Sequence, residues 1–247
     1  MSPYSLEGRR AIVTGSDTGI GQAIAVSLAA QGARVTCAGV VTAAETVKMI
    51  ADAGGTAETL ELNVTDRSAV TAAMAGAGYT ILVNNAGLIR REDSVDFSEK
   101  DWDDVMDVNV KAVFFTSQAF AKEAFSAGTL PANIINIASL LSFQGGIRVP
   151  SYTASKHGVA GLTKIFANEW AEKGLNVNAI APGYIATNNT AALRADPERS
   201  KAILERIPAG RWGEPSDIGG TAAFLCSEAA RYIHGAVLSV DGGWLAR

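Results

Sequence analysis

Tyr152 and Lys156 stand four residues apart, and Val159, Leu162, Thr163 and Phe166 continue a helical period after them. On a helix that spacing places both side chains on one face, one turn apart. An ammonium beside a phenol favours the phenolate, so the phenol should ionise below its usual pKa of ~10. Such a pair suits the transfer of one proton to or from an alcohol or a carbonyl. Ser139 follows an apolar run at 134–138 and could hold the substrate oxygen against that phenol. Tyr-x-x-x-Lys is also common on ordinary amphipathic helices, so the pair takes its meaning from the elements that carry it.

Those elements alternate along the whole chain. Apolar runs at 11–14, 34–38, 57–62, 81–84, 134–138, 176–181 and 238–240 are separated by helix-period segments. The pattern predicts an α/β fold, a doubly wound seven-stranded parallel sheet of the Rossmann type. We expect residues 1–247 to form one domain that includes the substrate loops. The 247 residues are 48% apolar and 19% charged with 25 glycines, the composition of a compact enzyme rather than a disordered chain. A net charge of −4 gives no general attraction to nucleic acid or to an anionic membrane. The first ten residues lack the apolar core of a secretion signal, and no apolar run reaches membrane-spanning length, so a cytoplasmic protein is expected. Cys37 and Cys226 read as buried free thiols, and His157 and His234 have no partner at ligand spacing, so no metal site is expected.

Between the first strand and the first helix lies Thr14-Gly15-Ser16-Asp17-Thr18-Gly19-Ile20-Gly21. Glycines there permit a tight turn and let free amides at the helix start face a pyrophosphate. The position of the turn, after the first strand of an alternating chain, points to a dinucleotide site.

The Gly-x-x-x-Gly-x-Gly spacing resembles that of the short-chain dehydrogenases/reductases. The likeness continues through Asn84-Asn85-Ala86-Gly87, Asn109, Ser139, Tyr152, Lys156, Pro182-Gly183 and Asp241-Gly242-Gly243, in order and at family spacing. It implies a hydride-transferring enzyme in which Tyr152 exchanges the proton and Lys156 lowers its pKa and holds the nicotinamide ribose. It also implies that Ser139 orients the substrate oxygen and Asn109 anchors a water. The cofactor would lie against Gly15, Asp17, Thr18, Gly19, Ile20, Gly21, Asn63, Val64, Asn85, Ala86, Gly87, Tyr152, Lys156, Pro182, Gly183, Ile185 and Thr187.

The second strand ends Gly39-Val40-Val41-Thr42, without the acid that selects NAD or the base that accepts the extra phosphate of NADP. Asp17 in the phosphate turn would repel that phosphate, and Thr18 stands where NADP-using members often place an arginine. NAD is therefore the expected cofactor, with NADP left open. Asn63 replaces the family's usual aspartate and keeps one acceptor oxygen.

The loops beyond the strand ends are rich in amides, hydroxyls and arginines, which suits a polyol acid better than a steroid or an acyl chain. Ser139, Gln144, Arg148 and Tyr152 are the expected substrate contacts, with Arg148 as the first candidate to bind a carboxylate. Arg90 and Arg91 rank lower because Glu92 and Asp93 follow them directly. Segments 89–93, 97–106, 141–152, 181–190, 206–213 and 241–247 are similar to those of family members acting on keto-deoxy sugar acids in uronate breakdown. NAD(H)-linked interconversion of a keto group and a secondary alcohol on a deoxy sugar acid is the implied reaction. The rivals are a 3-oxoacyl-[acyl-carrier-protein] reductase using NADPH and, more remotely, a non-catalytic dinucleotide-binding scaffold. Apolar stripes at 105–125 and 159–170, with Trp244 and Leu245, suggest burial against other copies, and the family's usual assembly implies a homotetramer.

Overall fold

The computed structural model describes residues 2–246. Seven strands run β1 (Arg10–Thr14), β2 (Arg34–Gly39), β3 (Thr56–Glu61), β4 (Ile81–Asn84), β5 (Ala132–Ile137), β6 (Leu175–Pro182) and β7 (Val237–Val240). They form one sheet in the order β3-β2-β1-β4-β5-β6-β7, with every neighbouring pair parallel. The helices are α1 (Gly19–Ala30), α2 (Ala44–Asp52), α3 (Arg67–Met74), α4 (Glu99–Met106), α5 (Ala112–Ala127), α6 (Pro150–Trp170), α7 (Ala191–Ala195), α8 (Pro197–Arg206) and α9 (Pro215–Leu225). None of the described helices is long and apolar enough to cross a membrane.

Helices on both faces of a parallel sheet bury its central strands completely, which is why β4, β5 and β6 read as near-continuous apolar runs. Side chains alternate between the two faces. Ala11 and Val13 pack with Ile24 and Leu28 of α1 and Ile218 and Leu225 of α9, whereas Ile12 packs with Val70, Phe120 and Phe166 of α3, α5 and α6. The outermost strand β3 is exposed at most of its positions.

Strand order reverses between β1 and β4, so their chains diverge beyond the carboxyl ends and leave a crevice there. The opposite end of the sheet is tied by Arg9. Its guanidinium donates to the Thr80 hydroxyl (2.8 Å), the Thr80 carbonyl (2.8 Å) and the Asn133 side-chain oxygen (2.7 Å). Asn133 explains why β5 begins earlier than the apolar run suggests: a buried polar residue extends the strand because Arg9 satisfies it.

Candidate active site

The turn between β1 and α1 is shaped by three glycines. Gly15 and Gly19 have φ of 62° and 59°, a region that side chains other than glycine's rarely adopt. A Cβ on Gly21 would overlap the Gly15 carbonyl and the Asn85 side-chain amide. That amide donates to the Thr14 carbonyl (2.9 Å) and the Gly15 carbonyl (2.8 Å), so Asn85 braces the turn against the end of β4. The Thr14 hydroxyl accepts from the backbone N–H groups of Asn85 and Ala86, both at 3.0 Å. On the other side the Thr46 hydroxyl donates to the Ser16 carbonyl (2.7 Å) and the Gln22 amide to the Asp17 carbonyl (3.2 Å). Gln22 and Thr46 escaped the sequence reading, in which Thr14 figured only as the start of the turn, since hydroxyls and amides that brace backbone carry no motif of their own.

Thr18 makes no side-chain cap, and the first turn of α1 carries no acid. The first amides of the helix therefore keep free hydrogen-bonding capacity and partial positive charge, which fits a pyrophosphate. Thr187 faces this turn, its methyl 3.5 Å from where a Gly19 Cβ would lie. Pro182 ends β6 and Gly183 follows it beside Asp241, whose Cα would be 2.6 Å from a Cβ on Gly183. Ile185 is buried below, while Val40 and Val41, at the end of β2, are 69% and 58% exposed. The Asn63 side-chain oxygen accepts from the Thr65 N–H (3.1 Å) and hydroxyl (2.8 Å), so part of its acceptor capacity is used locally, next to Val64.

The proton-transfer candidates converge where β5 meets α6. Proline in the first turn of α6 suits a position whose N–H would be unpaired anyway. Tyr152 and Lys156 share one face of this helix, with the Lys156 nitrogen 5.4 Å from the centre of the Tyr152 ring. That nitrogen donates to the Ile137 carbonyl at 2.7 Å, and burial pushes its pKa down to about 8. Burial acts on the Tyr152 phenol in the opposite sense and raises its pKa; hydrogen bonding to Ser139, and then the charge of Arg91, pull it back. The lowering expected from Lys156 is not among these influences: desolvation dominates, and the Lys156 nitrogen is committed to the Ile137 carbonyl. The Ser139 hydroxyl also accepts from the Leu141 N–H (3.2 Å), fixing the start of the turn over 140–142.

Asn109 lies in a widened π-helical segment, Asp107–Lys111, between α4 and α5. Such segments recur at functional sites because they turn a side chain out of register. The buried Asn109 amide accepts from the Leu88 N–H (2.9 Å), donates to the Leu88 carbonyl (2.9 Å) and reaches Ser155 at 3.2 Å. It joins the loop carrying Ala86 and Gly87 to the helix carrying Tyr152.

The substrate loops differ from expectation at Arg148. Its φ is 63°, and its guanidinium pairs with Glu92 and Asp93, each at 3.0 Å. The first candidate for a substrate carboxylate is therefore already held by two carboxylates of the chain. Arg90 pairs with Asp101 (3.2 Å) and Asp104 (3.5 Å). Gln144 accepts from the Trp244 indole at 3.4 Å, linking this loop to the C-terminal turn. His157 and His234 are exposed, each within reach of a backbone carbonyl on its own segment.

A doubly wound parallel sheet with a glycine-braced turn after β1 and a Ser, Tyr and Lys converging at the end of β5 defines a nucleotide-dependent oxidoreductase architecture, and the chain belongs to the short-chain dehydrogenase/reductase family. The family model that matches it, described as enoyl-(acyl carrier protein) reductase, spans residues 15–245. The chain is 56% identical to the 2-dehydro-3-deoxy-D-gluconate 5-dehydrogenase of Escherichia coli (strain K12), over 100% of this chain and 99% of that one. It is 54% identical to the enzyme of the same name from Dickeya dadantii (strain 3937), with the same coverage. A crystal structure described as a putative 2-deoxy-D-gluconate 3-dehydrogenase from Agrobacterium tumefaciens with bound NADP superposes with a TM-score of 0.98 at 66% identity, covering 100% of both chains.

Proposed function

We propose that this chain interconverts a keto group and a secondary alcohol on a deoxy sugar acid, the 2-dehydro-3-deoxy-D-gluconate 5-dehydrogenase reaction of its relatives. The observation that carries this reading is the convergence of Ser139, Tyr152, Lys156 and Asn109 beneath loops of amides, hydroxyls and arginines. The identity with sugar-acid dehydrogenases supports it over a carrier-protein reductase or a non-catalytic scaffold.

A nicotinamide dinucleotide, held by the turn at Gly15–Gly21 together with Asn63, Val64, Asn85, Ala86, Gly87, Pro182, Gly183, Ile185 and Thr187, would supply or accept the hydride. Tyr152 donates the proton to the carbonyl oxygen in reduction and removes it in oxidation. A phenol raised by burial is protonated at neutral pH and so ready to act as the acid. Ser139 holds the reacting oxygen against it. Lys156 binds the nicotinamide ribose, and Asn109 anchors a water that returns the proton to solvent.

NAD remains our preferred form because Asp17 sits in the phosphate turn and Thr18 offers no cation. The end of β2 also offers no carboxylate to repel the extra phosphate, and the Agrobacterium tumefaciens relative carries NADP. Rates must therefore be read with both. We further propose that residues 1–247 act as one domain in the cytoplasm, and as a homotetramer through α5, α6 and β7. Half-exposed Ile165 and Leu238 support those contacts, and light scattering at micromolar protein tests them.

The deciding experiment follows nicotinamide absorbance with 3-deoxy-2,5-diketogluconate and with acetoacetyl-CoA, each with NADH and NADPH. Turnover of the sugar acid with preference for NADH is expected. Turnover of the thioester alone would replace this reading with the carrier-protein reductase.

A further inference from the structure

Lys156 grips the stretch that carries Ser139 at two points. Its side-chain nitrogen donates to the Ile137 carbonyl at 2.7 Å, and its own backbone carbonyl accepts from the Ser142 hydroxyl at 2.6 Å, both bonds being buried. Ser139 stands between these two anchors. Within the stretch the Leu141 N–H donates to the Ser139 hydroxyl (3.2 Å) and the Ser142 N–H to the Ser139 carbonyl (2.9 Å), so holding Ser142 holds the serine itself. A carbonyl inside α6 uses one lone pair in the helix ladder and has a second to offer, so the Ser142 bond is additional to the helix. Leu140 fixes the outer side of the same turn by packing with Ile207 and Trp244. Just beyond Ser142 the chain turns outward, with Phe143 and Ile147 49% and 87% exposed.

We infer that Ser142 is a positioning residue for the reaction: through the Lys156 carbonyl it fixes the Ser139 hydroxyl relative to the Tyr152 phenol and isolates that geometry from movement of the loop at 143–148. Tyr152 precedes Lys156 by one turn of α6, so a stretch pinned to Lys156 is pinned to the phenol's own helix. Without the Ser142 bond the stretch is tied to Lys156 at one end only, and Ser139 is free to drift from the phenol. The fold depends on the bond far less than the geometry does, since the Lys156 carbonyl keeps its helix partner. This inference rests on the keto–alcohol chemistry proposed above.

The test compares wild type, Ser142→Ala, Ser142→Thr and Ser151→Ala in oxidation of 2-dehydro-3-deoxy-D-gluconate. Ser151, in the first turn of α6, is the control, a buried hydroxyl with no hydrogen-bond partner. Ser142→Ala is expected to lower kcat about tenfold, with dinucleotide Kd within about twofold of wild type and the melting temperature within a few degrees. Hydrogen bonding to Ser139 pulls the phenol's pKa down, so a loosened Ser139 should move the acid limb of the oxidation profile to higher pH, by about half a unit or more. Arg91 and Lys156, the charged groups that face the phenol, are unchanged in these variants. Ser142→Thr, which keeps the hydroxyl, should recover much of both effects, and Ser151→Ala should show neither. Wild-type kcat and pH profile in Ser142→Ala, or an equal loss in Ser151→Ala, would overturn the assignment with the enzyme reading intact. A wild type active only on acetoacetyl-CoA would overturn the sugar-acid reading alone, and the same variants read on the thioester would then decide Ser142. A wild type with no turnover would overturn both.

Discussion

The Lys156 ammonium lies over the Tyr152 ring, 5.4 Å from its centre, and donates to the Ile137 carbonyl at 2.7 Å. Lysine and tyrosine thus share a helix face while the lysine is anchored to Ile137, the last residue of β5, two positions before Ser139. Helix and strand are locked together at the point where the proposed proton transfer occurs.

Tyr152→Phe removes the phenol and keeps the ring. It should lower kcat by roughly 10²–10⁴ while dinucleotide binding, read by fluorescence quenching, stays near wild type. Retained turnover would remove Tyr152 from the proposed chemistry.

Lys156 is buried, and its pKa falls to about 8 from an ordinary 10.5. Between those values the unfolded chain holds the proton and the folded one does not, so this residue makes stability rise with pH across that window. The slope is at most roughly 1.4 kcal/mol per pH unit. Denaturant titrations from pH 7.5 to 10 should show wild type gaining on Lys156→Met; a constant difference would mean that the lysine keeps an ordinary pKa.

Gly21→Ala places a methyl group against the Gly15 carbonyl and the Asn85 amide. The turn must open to admit it. We expect a stability loss of about 1–3 kcal/mol by calorimetry and weaker dinucleotide binding, with substrate KM at saturating dinucleotide little changed.

Arg148→Ala frees Glu92 and Asp93, all three side chains being substantially exposed. Exposed pairs contribute little to stability, so the melting temperature should stay within a few degrees.

The sheet was legible in the sequence because strands buried on both faces appear as apolar runs, and β4 matches its expected bounds. Convergence of Ser139, Tyr152 and Lys156 was legible from family spacing. Charge pairing was not. Arg148 finds Glu92 across 56 positions, whereas sequence proximity suggested that Glu92 would pair with Arg90 or Arg91. Nor could spacing reveal that desolvation governs Tyr152, since burial is a property of the assembled crevice.

Arg9 gives the sheet two unlike ends. At the amino ends of β1, β4 and β5 one guanidinium ties three strands through Thr80 and Asn133. At the carboxyl ends the chain leaves the sheet in loops, several of them exposed. Thermal opening should therefore start at the catalytic rim and leave the riveted edge closed, so amide protons near Ile81 and Ile134 exchange late and those at 143–148 early. The rivet and the reactive rim thus sit at opposite ends of the same strands, so a change in one end's loops leaves the Arg9 tie untouched.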